Sequence, residues 1–350
     1  MVNKTLVTQD AVGAVYFSTG AVALERKSEV WRSITELLFD GAPATDTQDA
    51  HLEGELFSRL VGSLLVVSMT CNAQRHRRDC RLIATSGLDH YVIRLFTSGM
   101  RDGECAGRPI TSGPGDIGLF DLARTSEIST RGGSSISVIM ARSRIDKAMG
   151  GRCLHGVVLR AGRPLTTLMA DYLLSLVKVT GELTGIEAEA IESAMIALLA
   201  AGLNEENAEG AGAFSGPVFL RRKIIEFIDA NLTNSDLGLD LLIRQFRVSR
   251  ARLYRIFDLE GGVAKIIREK RLDAAYQVLA RPTEKELRSI TEVAYMFCFS
   301  DGSQFLRAFR RRFGVTPREA RIKGVTSQRL DRRVLGIHRH FAQYASTMAA

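Results

Sequence analysis

No two cysteines of this sequence stand in a C-x-x-C arrangement, and the five present (Cys71, Cys80, Cys105, Cys153 and Cys298) are odd in number and scattered. Neither a disulfide framework nor a thiolate zinc site fits that usage, which leaves reduced, structural thiols as the expectation. Histidine is scarce too, with six in 350 residues and no cluster. A basic-then-apolar leader is lacking at the start. The longest apolar runs, LLVVSM from Leu64 and MIALLAAG from Met195, fall far short of the ~20 residues that cross a bilayer. The expectation is a cytoplasmic protein without membrane association, long enough for two or three domains with a core that needs no staples.

What is present is positive charge, unevenly placed. The chain carries 47 Lys plus Arg against 39 Asp plus Glu, a net +8. Residues 218–323 hold 22 basic and 13 acidic residues, 324–350 four and one, and everything before them 21 and 25. A basic excess gathered on one region is what phosphate neutralisation requires.

Within that region Ser289 to Arg318 reads with little freedom. Ser289 and Glu292 form a capping box before Ile290, Val293, Ala294 and Phe297, which share one helical face. After a short break Asp301, with Gln304 three positions on, caps a second helix whose inward side is Phe305, Ala308, Phe309 and Phe313; Gly314 and Pro317 stop it. Two short helices and a tight turn, with Arg307, Arg310, Arg311 and Arg312 on the later one, have the layout of a helix-turn-helix.

The pattern occurs twice. In LDLLIRQFRVSRARLYRIF, Leu242, Ile243 and Phe246 precede a turn, and Ser249 caps a helix carrying Leu253, Ile256 and Phe257. Setting Phe257 on Phe309 places Arg255 on Arg307, Leu253 on Phe305 and Ser249 on Asp301, so one unit is used twice. Between the copies, Val263 to Arg281 is free of Gly and Pro and predicts a helix of roughly 28 Å, close to the roughly 34 Å between successive major-groove faces.

On these residues the region from about Phe219 to Lys323 resembles the DNA-binding domain of AraC/XylS-type transcription regulators, and ITEVAYMFCFSDGSQFLRAFRRRFGVTPRE carries that family's signature. The sequence departs from the pattern at the turn, where Arg247 and Cys298 stand for the usual Gly. A positive φ there would cost a non-Gly residue on the order of 1 kcal/mol. Ile243 replaces the small residue kept as Ala294, and the loop DLEGG is short, so the first unit is expected to differ in crossing geometry and register. By carry-over, the resemblance implies base-edge contacts from Ala251, Tyr254, Arg255, Gly302, Ser303, Leu306 and Arg307, and phosphate contacts from Arg250, Arg252, Arg310 and Arg311. It also implies double-stranded DNA and RNA polymerase as partners, a small-molecule effector, and activation of transcription.

The rest of the chain reads more coarsely. Ser28 to Leu38 predicts a helix with Val30, Trp31, Ile34, Leu37 and Leu38 inward, and GAPATDTQDA a loop. From Leu56 to Ala141 the runs LVGSLLVVSMT, RLIATS, HYVIRLFTSG, DIGLFDLA and SISVIMA predict strands of a sandwich or barrel. GRPITSGPGDIGLFD resembles the second motif of cupin barrels, but its usual His is missing. His76, in the polar run QRHRRD, and His90 do not make a metal cluster. Neither a metal nor a cofactor is expected. Arg94 shares a strand face with His90 and Val92. It reads either as an outward residue in a salt bridge or as a cation inside the barrel, and no effector residue is assigned.

Pro164 to Leu203 returns to helical periodicity: Leu165, Leu168, Met169, Tyr172, Leu173 and Leu176, then Ile186, Ala190, Ile191, Ala194, Met195, Leu198 and Leu199. The pair packs on the barrel or supplies a homodimer interface. NEENAEGAGAFSGP reads as a linker. The tail fits either an extra basic helix or a frayed end.

The fold expected is α+β: a cupin-like β-barrel with flanking helices (1–163), a helical connector (164–203), a linker (204–217), an all-α double helix-turn-helix domain (218–323) and a basic tail (324–350). The function expected is sequence-specific DNA binding in transcription regulation, by a protein that is not an enzyme. Two alternatives are a β-barrel enzyme with an appended DNA-binding domain, and an interaction protein whose helical pairs bind another protein.

Overall fold

The structure, a computed structural model, describes residues 7–9, 14–44, 50–149, 154–208, 216–258, 261–280 and 288–327. It divides into two compact units, one ending with the long helix that closes at Ala208 and one beginning with the helix that opens at Gly216. The predicted linker is therefore helical at both ends, and its residues 209–215 lie outside the described residues, as do Cys153, Arg281 and the tail from 328.

The first unit runs β1 (Val7–Gln9), β2 (Val15–Ser18), α1 (Leu24–Thr35), β3 (Asp40–Pro43), β4 (Gly54–Val61), β5 (Leu64–Arg78), α2 (Cys80–Ser86), β6 (His90–Phe96), β7 (Arg101–Cys105), β8 (Arg108–Ser112), β9 (Ile117–Asp121), β10 (Ser126–Ala141), α3 (Arg142–Met149), β11 (Val157–Leu159), α4 (Pro164–Val179) and α5 (Gly185–Ala208). The strands form one antiparallel sheet in the order β1-β2-β4-β5-β10-β6-β9-β11, with β3 on β5 and the β7–β8 hairpin on β10. Among the described residues no hydrogen bonding closes β1 onto β11, and the expected barrel is seen as an open, cupin-like sheet.

Both faces of the sheet are covered, and β6 shows how. Val92 and Phe96 join a core with Trp31, Phe17 and Leu56. Tyr91, Ile93 and Leu95 join another with Met169, Leu173, Met195 and Leu199 from α4 and α5. Trp31 is fully buried; its ring lies 6.2 Å from that of Phe17 and its Nε1 donates to Gln74 Oε1 at 2.9 Å. A Cβ on Gly54 would stand 2.3 Å from the Trp31 ring, so only glycine admits the indole there.

Several strand readings are corrected. RLIATS is the helix α2, because Asp79 caps it, accepting from Leu82 N–H at 2.8 Å, and Gly87 ends it in a left-handed conformation. LVGSLLVVSMT is the hairpin joining β4 to β5, turned at Gly62 with φ 57. The loop GAPATDTQDA begins inside β3, and the helix expected over 28–38 is displaced to 24–35, with Leu37 and Leu38 beyond its end. QRHRRD continues β5, whose Gln74, His76 and Arg78 are buried polar positions rather than a break. On α4 the stripe holds at Met169, Leu173 and Leu176 with Leu168 exposed, whereas on α5 it is shifted: Ile186 is exposed, and Ala188, Glu192, Met195 and Leu199 form the buried line. Glu192 is kept there by Ser63, which donates to it, and by Arg144 at 3.5 Å.

The second unit is all-helical: α6 (Gly216–Ala230), α7 (Leu239–Phe246), α8 (Arg250–Phe257), α9 (Val263–Ala280), α10 (Ile290–Met296), α11 (Gly302–Phe313) and α12 (Pro317–Ser327). The first turn of α9 joins the core of the first helix pair, where Val263, Ile266 and Ile267 meet Leu242, Leu253 and Phe257. Its later turns serve the second pair, with the Tyr276 ring 5.5 Å from Phe309 and 4.7 Å from Phe313. Arg312 fixes that arrangement from α11, giving Asp273 two hydrogen bonds of 2.6 and 2.8 Å and pairing with Glu269 at 3.2 Å.

The departures at the two turns are now explained. Arg247 ends α7 at φ 49 and Cys298 follows α10 at φ 60, both left-handed. Their N–H groups and the next ones still bond back into the helix, Val248 to Ile243 and Phe299 to Ala294. Ile243 is half-buried among its unit's core residues, where Ala294 is fully buried.

Relieving the strain in Arg247→Gly is expected to raise stability by about 0.5–1 kcal/mol in urea unfolding. Cys298→Gly should give less, since the thiol's contact with the Thr233 carbonyl at 3.3 Å is lost. Arg312→Ala should lower stability by roughly 1–3 kcal/mol by leaving Asp273 without its forked partner, and Arg312→Lys should recover only part of that.

Candidate nucleic-acid interface

Each pair of helices presents its second helix outward for the same local reasons. Ser249 caps α8 by accepting from Arg252 N–H at 3.2 Å; Asp301 caps α11 by accepting from Ser303 and Gln304 at 2.9 and 3.2 Å. Leu253 and Phe257 then turn inward on α8, and Phe305, Ala308, Phe309 and Phe313 on α11, all buried. The capping box at Ser289 forms in both directions, with Glu292 accepting from Ser289 N–H at 2.5 Å and Ser289 accepting from Glu292 N–H at 3.1 Å.

What remains on the outer sides is the set read from the sequence. Ala251, Arg255, Ser303 and Arg307 are exposed and Gly302 is half-buried. Tyr254 is 54 % exposed and Leu306 45 %, large apolar side chains left in water at equivalent places in the two units. Arg250, Arg252, Arg310 and Arg311 are also exposed. Arg250 lies 3.3 Å from Asp240, a pair open to water on both sides and therefore weak. Arg312, the next residue of the same basic run, is turned away into the ion pair with Asp273. Nothing in the sequence separates it from Arg311 except helical phase, which puts it on the side of Phe305, Ala308 and Phe309.

The two surfaces are thus built alike. Each offers an exposed arginine two positions before a buried Phe, an exposed apolar residue before that arginine, and a small residue in the first turn. A helix with that outer side suits a groove lined by phosphates and base edges, where Arg donates in a fork and an apolar group meets a thymine methyl.

Among the described residues, no group of three or more His, Cys, Asp or Glu could hold a metal ion. His76 is buried, stacks on Phe39 at 3.8 Å, and shares a hydrogen bond with Gln74 Oε1 at 3.1 Å; burial, with Arg94 and Arg101 nearby, pushes its pKa down to about 3. Its ring is therefore neutral and carries the proton on Nε2. Among the described residues, no helix is long and apolar enough to cross a membrane.

Known proteins carry the same two parts. Residues 242–323 match the family described as a helix-turn-helix domain, and residues 39–204 match the AraC-binding-like domain. The transcriptional activator NphR of Rhodococcus sp is 22 % identical over 298 residues, which span 82 % of this chain and 86 % of that one. The XylDLEGF operon transcriptional activator 2 of Pseudomonas putida is 31 % identical over 97 residues, 27 % of this chain and 60 % of the relative. Among solved structures, the AraC-like transcriptional activator CuxR superposes with a TM-score of 0.50 at 25 % identity, covering 75 % of this chain and 96 % of that one. With a cupin-like sheet unit under one match and a paired helix-turn-helix unit under the other, this chain belongs to the AraC family of DNA-binding transcription regulators.

Proposed function

We propose that the protein activates transcription in the cytoplasm by laying α8 and α11 in adjacent major-groove segments, under the control of an effector held by the sheet unit. The observation that carries this is the matched pair of outer sides, with Tyr254 and Arg255 on one and Leu306 and Arg307 on the other. In this reading Arg255 and Arg307 reach guanine edges. Tyr254, Leu306, Ala251 and Ser303 fill the groove beside them, and Gly302 lets the backbone of α11 approach. Arg250, Arg252, Arg310 and Arg311 hold the flanking phosphates. The sheet unit through 163 is the sensing part, 164–203 the connector and 218–323 the reader.

RNA polymerase is the partner that activation requires, and the named relatives are activators. A homodimer through the connector is supported by the apolar side chains that α4 and α5 leave in water: Leu168, Leu174, Val179 and Ile186 are 57, 39, 40 and 84 % exposed. No catalytic role is assigned, in keeping with relatives named as regulators.

Footprinting of the full-length protein on DNA around its own gene, across a salt series, tests the reading. A protected site spanning two successive groove segments is expected, bound far more tightly than scrambled sequence. Arg307→Ala should weaken that site by about 1–3 kcal/mol, roughly 5- to 150-fold, and relax preference at one or two base pairs. Arg311→Ala should weaken all sequences alike and flatten the salt slope by about one unit. Equal, sequence-independent losses from both would remove Arg307 from base readout.

A further inference from the structure

Arg78 shows how a guanidinium is accommodated inside the sheet unit. It is buried and spends its donors on the carbonyls of Leu122, Leu37 and Leu38 and on Ser86, at 2.7, 2.8, 2.9 and 2.7 Å. Two other arginines on the same side of the sheet are treated differently.

Arg94 stands on β6 between Val92 and Phe96, on the face that packs against the Trp31 core. It donates from Nε to Ser137 at 2.9 Å and lies 5.8 Å from the Phe120 ring. Its terminal nitrogens make no hydrogen bond among the described residues. Arg101 is 4 % exposed and lies 4.6 Å from the Phe96 ring; Nη1 donates to the Ser98 carbonyl at 3.2 Å, and the buried Nη2 has no partner among the described residues. Directly across the β7–β8 pair, Ser112 is buried, as is Ser135, two places from Ser137 on β10, and neither Oγ has a partner among the described residues.

The two guanidiniums are close enough to act on each other and on the Cys71 and His76 side chains. Burial and Arg101 together push Arg94 down to about 10. Among the described residues no carboxylate acts on either one. The nearby acids Asp102, Glu104 and Glu127 are exposed, at the alternate positions of β7 and β10 that face away. Buried charges are ordinarily paired, because an unpaired one forfeits its hydration without return.

We propose that the Arg94–Arg101 pair is the binding site of an organic carboxylate with an apolar body. The carboxylate takes the free donors of both forks, Ser112 and Ser135 complete its hydrogen bonds, and the body lies against Phe96 and Phe120. A planar carboxylate suits two forked donors, and the apolar surroundings exclude a fully hydrated inorganic ion. Arg94 is only half-buried, in contrast to the buried Arg101. The inference deepens the proposal of an effector in the sheet unit and rests on it.

The test is thermal melting of the full-length protein with benzoate and octanoate, each beside its uncharged amide, at constant ionic strength. Carboxylates should raise the melting temperature by about 3–6 °C for each tenfold excess over Kd, and amides should not. Arg101→Met should abolish the rise. Arg94→Lys, which retains charge and loses the fork, should reduce it and guards against a misfolded methionine variant. No rise with either carboxylate, or equal rises with the amides, overturns the site. Operator binding by the same preparations without added carboxylate reports on the DNA-binding reading separately, so that reading can stand where this one falls.

Discussion

An 18-residue helix buried on two sides by two different partners sets the geometry of the second unit. α9 gives Val263, Ile266 and Ile267 to one helix pair and Tyr276 to the other. Because packed interiors tolerate little slippage, the rotation and rise between these residues fix the rotation and rise between α8 and α11. At 1.5 Å per residue α9 is roughly 27 Å long. The bidentate contact from Arg312 to Asp273 pins α11 to this shaft by charge as well as by aromatic packing. That use of a cation inside a basic run explains why charge counting alone overstates the surface available to phosphate.

The sheet unit obeys a different constraint. Its interior is not uniformly apolar: Gln74, His76, Arg78, Arg94 and Arg101 all enter it from the strands. Trp31, Gln74, His76 and Phe39 form a satisfied network in which a neutral imidazole is both stacked and hydrogen-bonded. Arg78 ties the end of α1 to α2 and to the turn after β9. These groups hold the unit in one arrangement because each has a partner, and against that background Arg101 Nη2 and the terminal nitrogens of Arg94, which have no partner among the described residues, stand out.

Most of the helical unit could be read from the sequence, because its signals are local. Ser249, Ser289 and Asp301 cap the helices they were expected to cap, and the buried faces follow the 3.6-residue period. The left-handed residues sit where Arg247 and Cys298 replace Gly. The sheet unit was legible only in class. Its strands with both faces covered lose the alternation that marks a strand, and polar residues directed inward at Gln74, His76 and Arg78 look like a loop in one dimension. α2 was hidden because Leu82 and Ile83 read as strand, although Asp79 and Gly87 bracket it as caps. On α5 the buried Glu192 shifted the apparent apolar stripe, since its partners Ser63 and Arg144 are distant in sequence. The exposed positions of α8 and α11 were legible as such, but the use of Arg312 depended on Asp273, 39 residues away.

The two helix pairs share the placing of an exposed arginine before a buried Phe, but the side chains around that arginine differ. Where one offers Arg250, Ala251 and Tyr254, the other offers Gly302, Ser303 and Leu306. A palindrome would suit two identical surfaces related by a two-fold axis; one chain with two unequal surfaces has no such symmetry. Under the proposed docking of α8 and α11, the site that one chain reads has a head and a tail. Inverting the site would turn the rest of the protein toward the opposite end of the duplex.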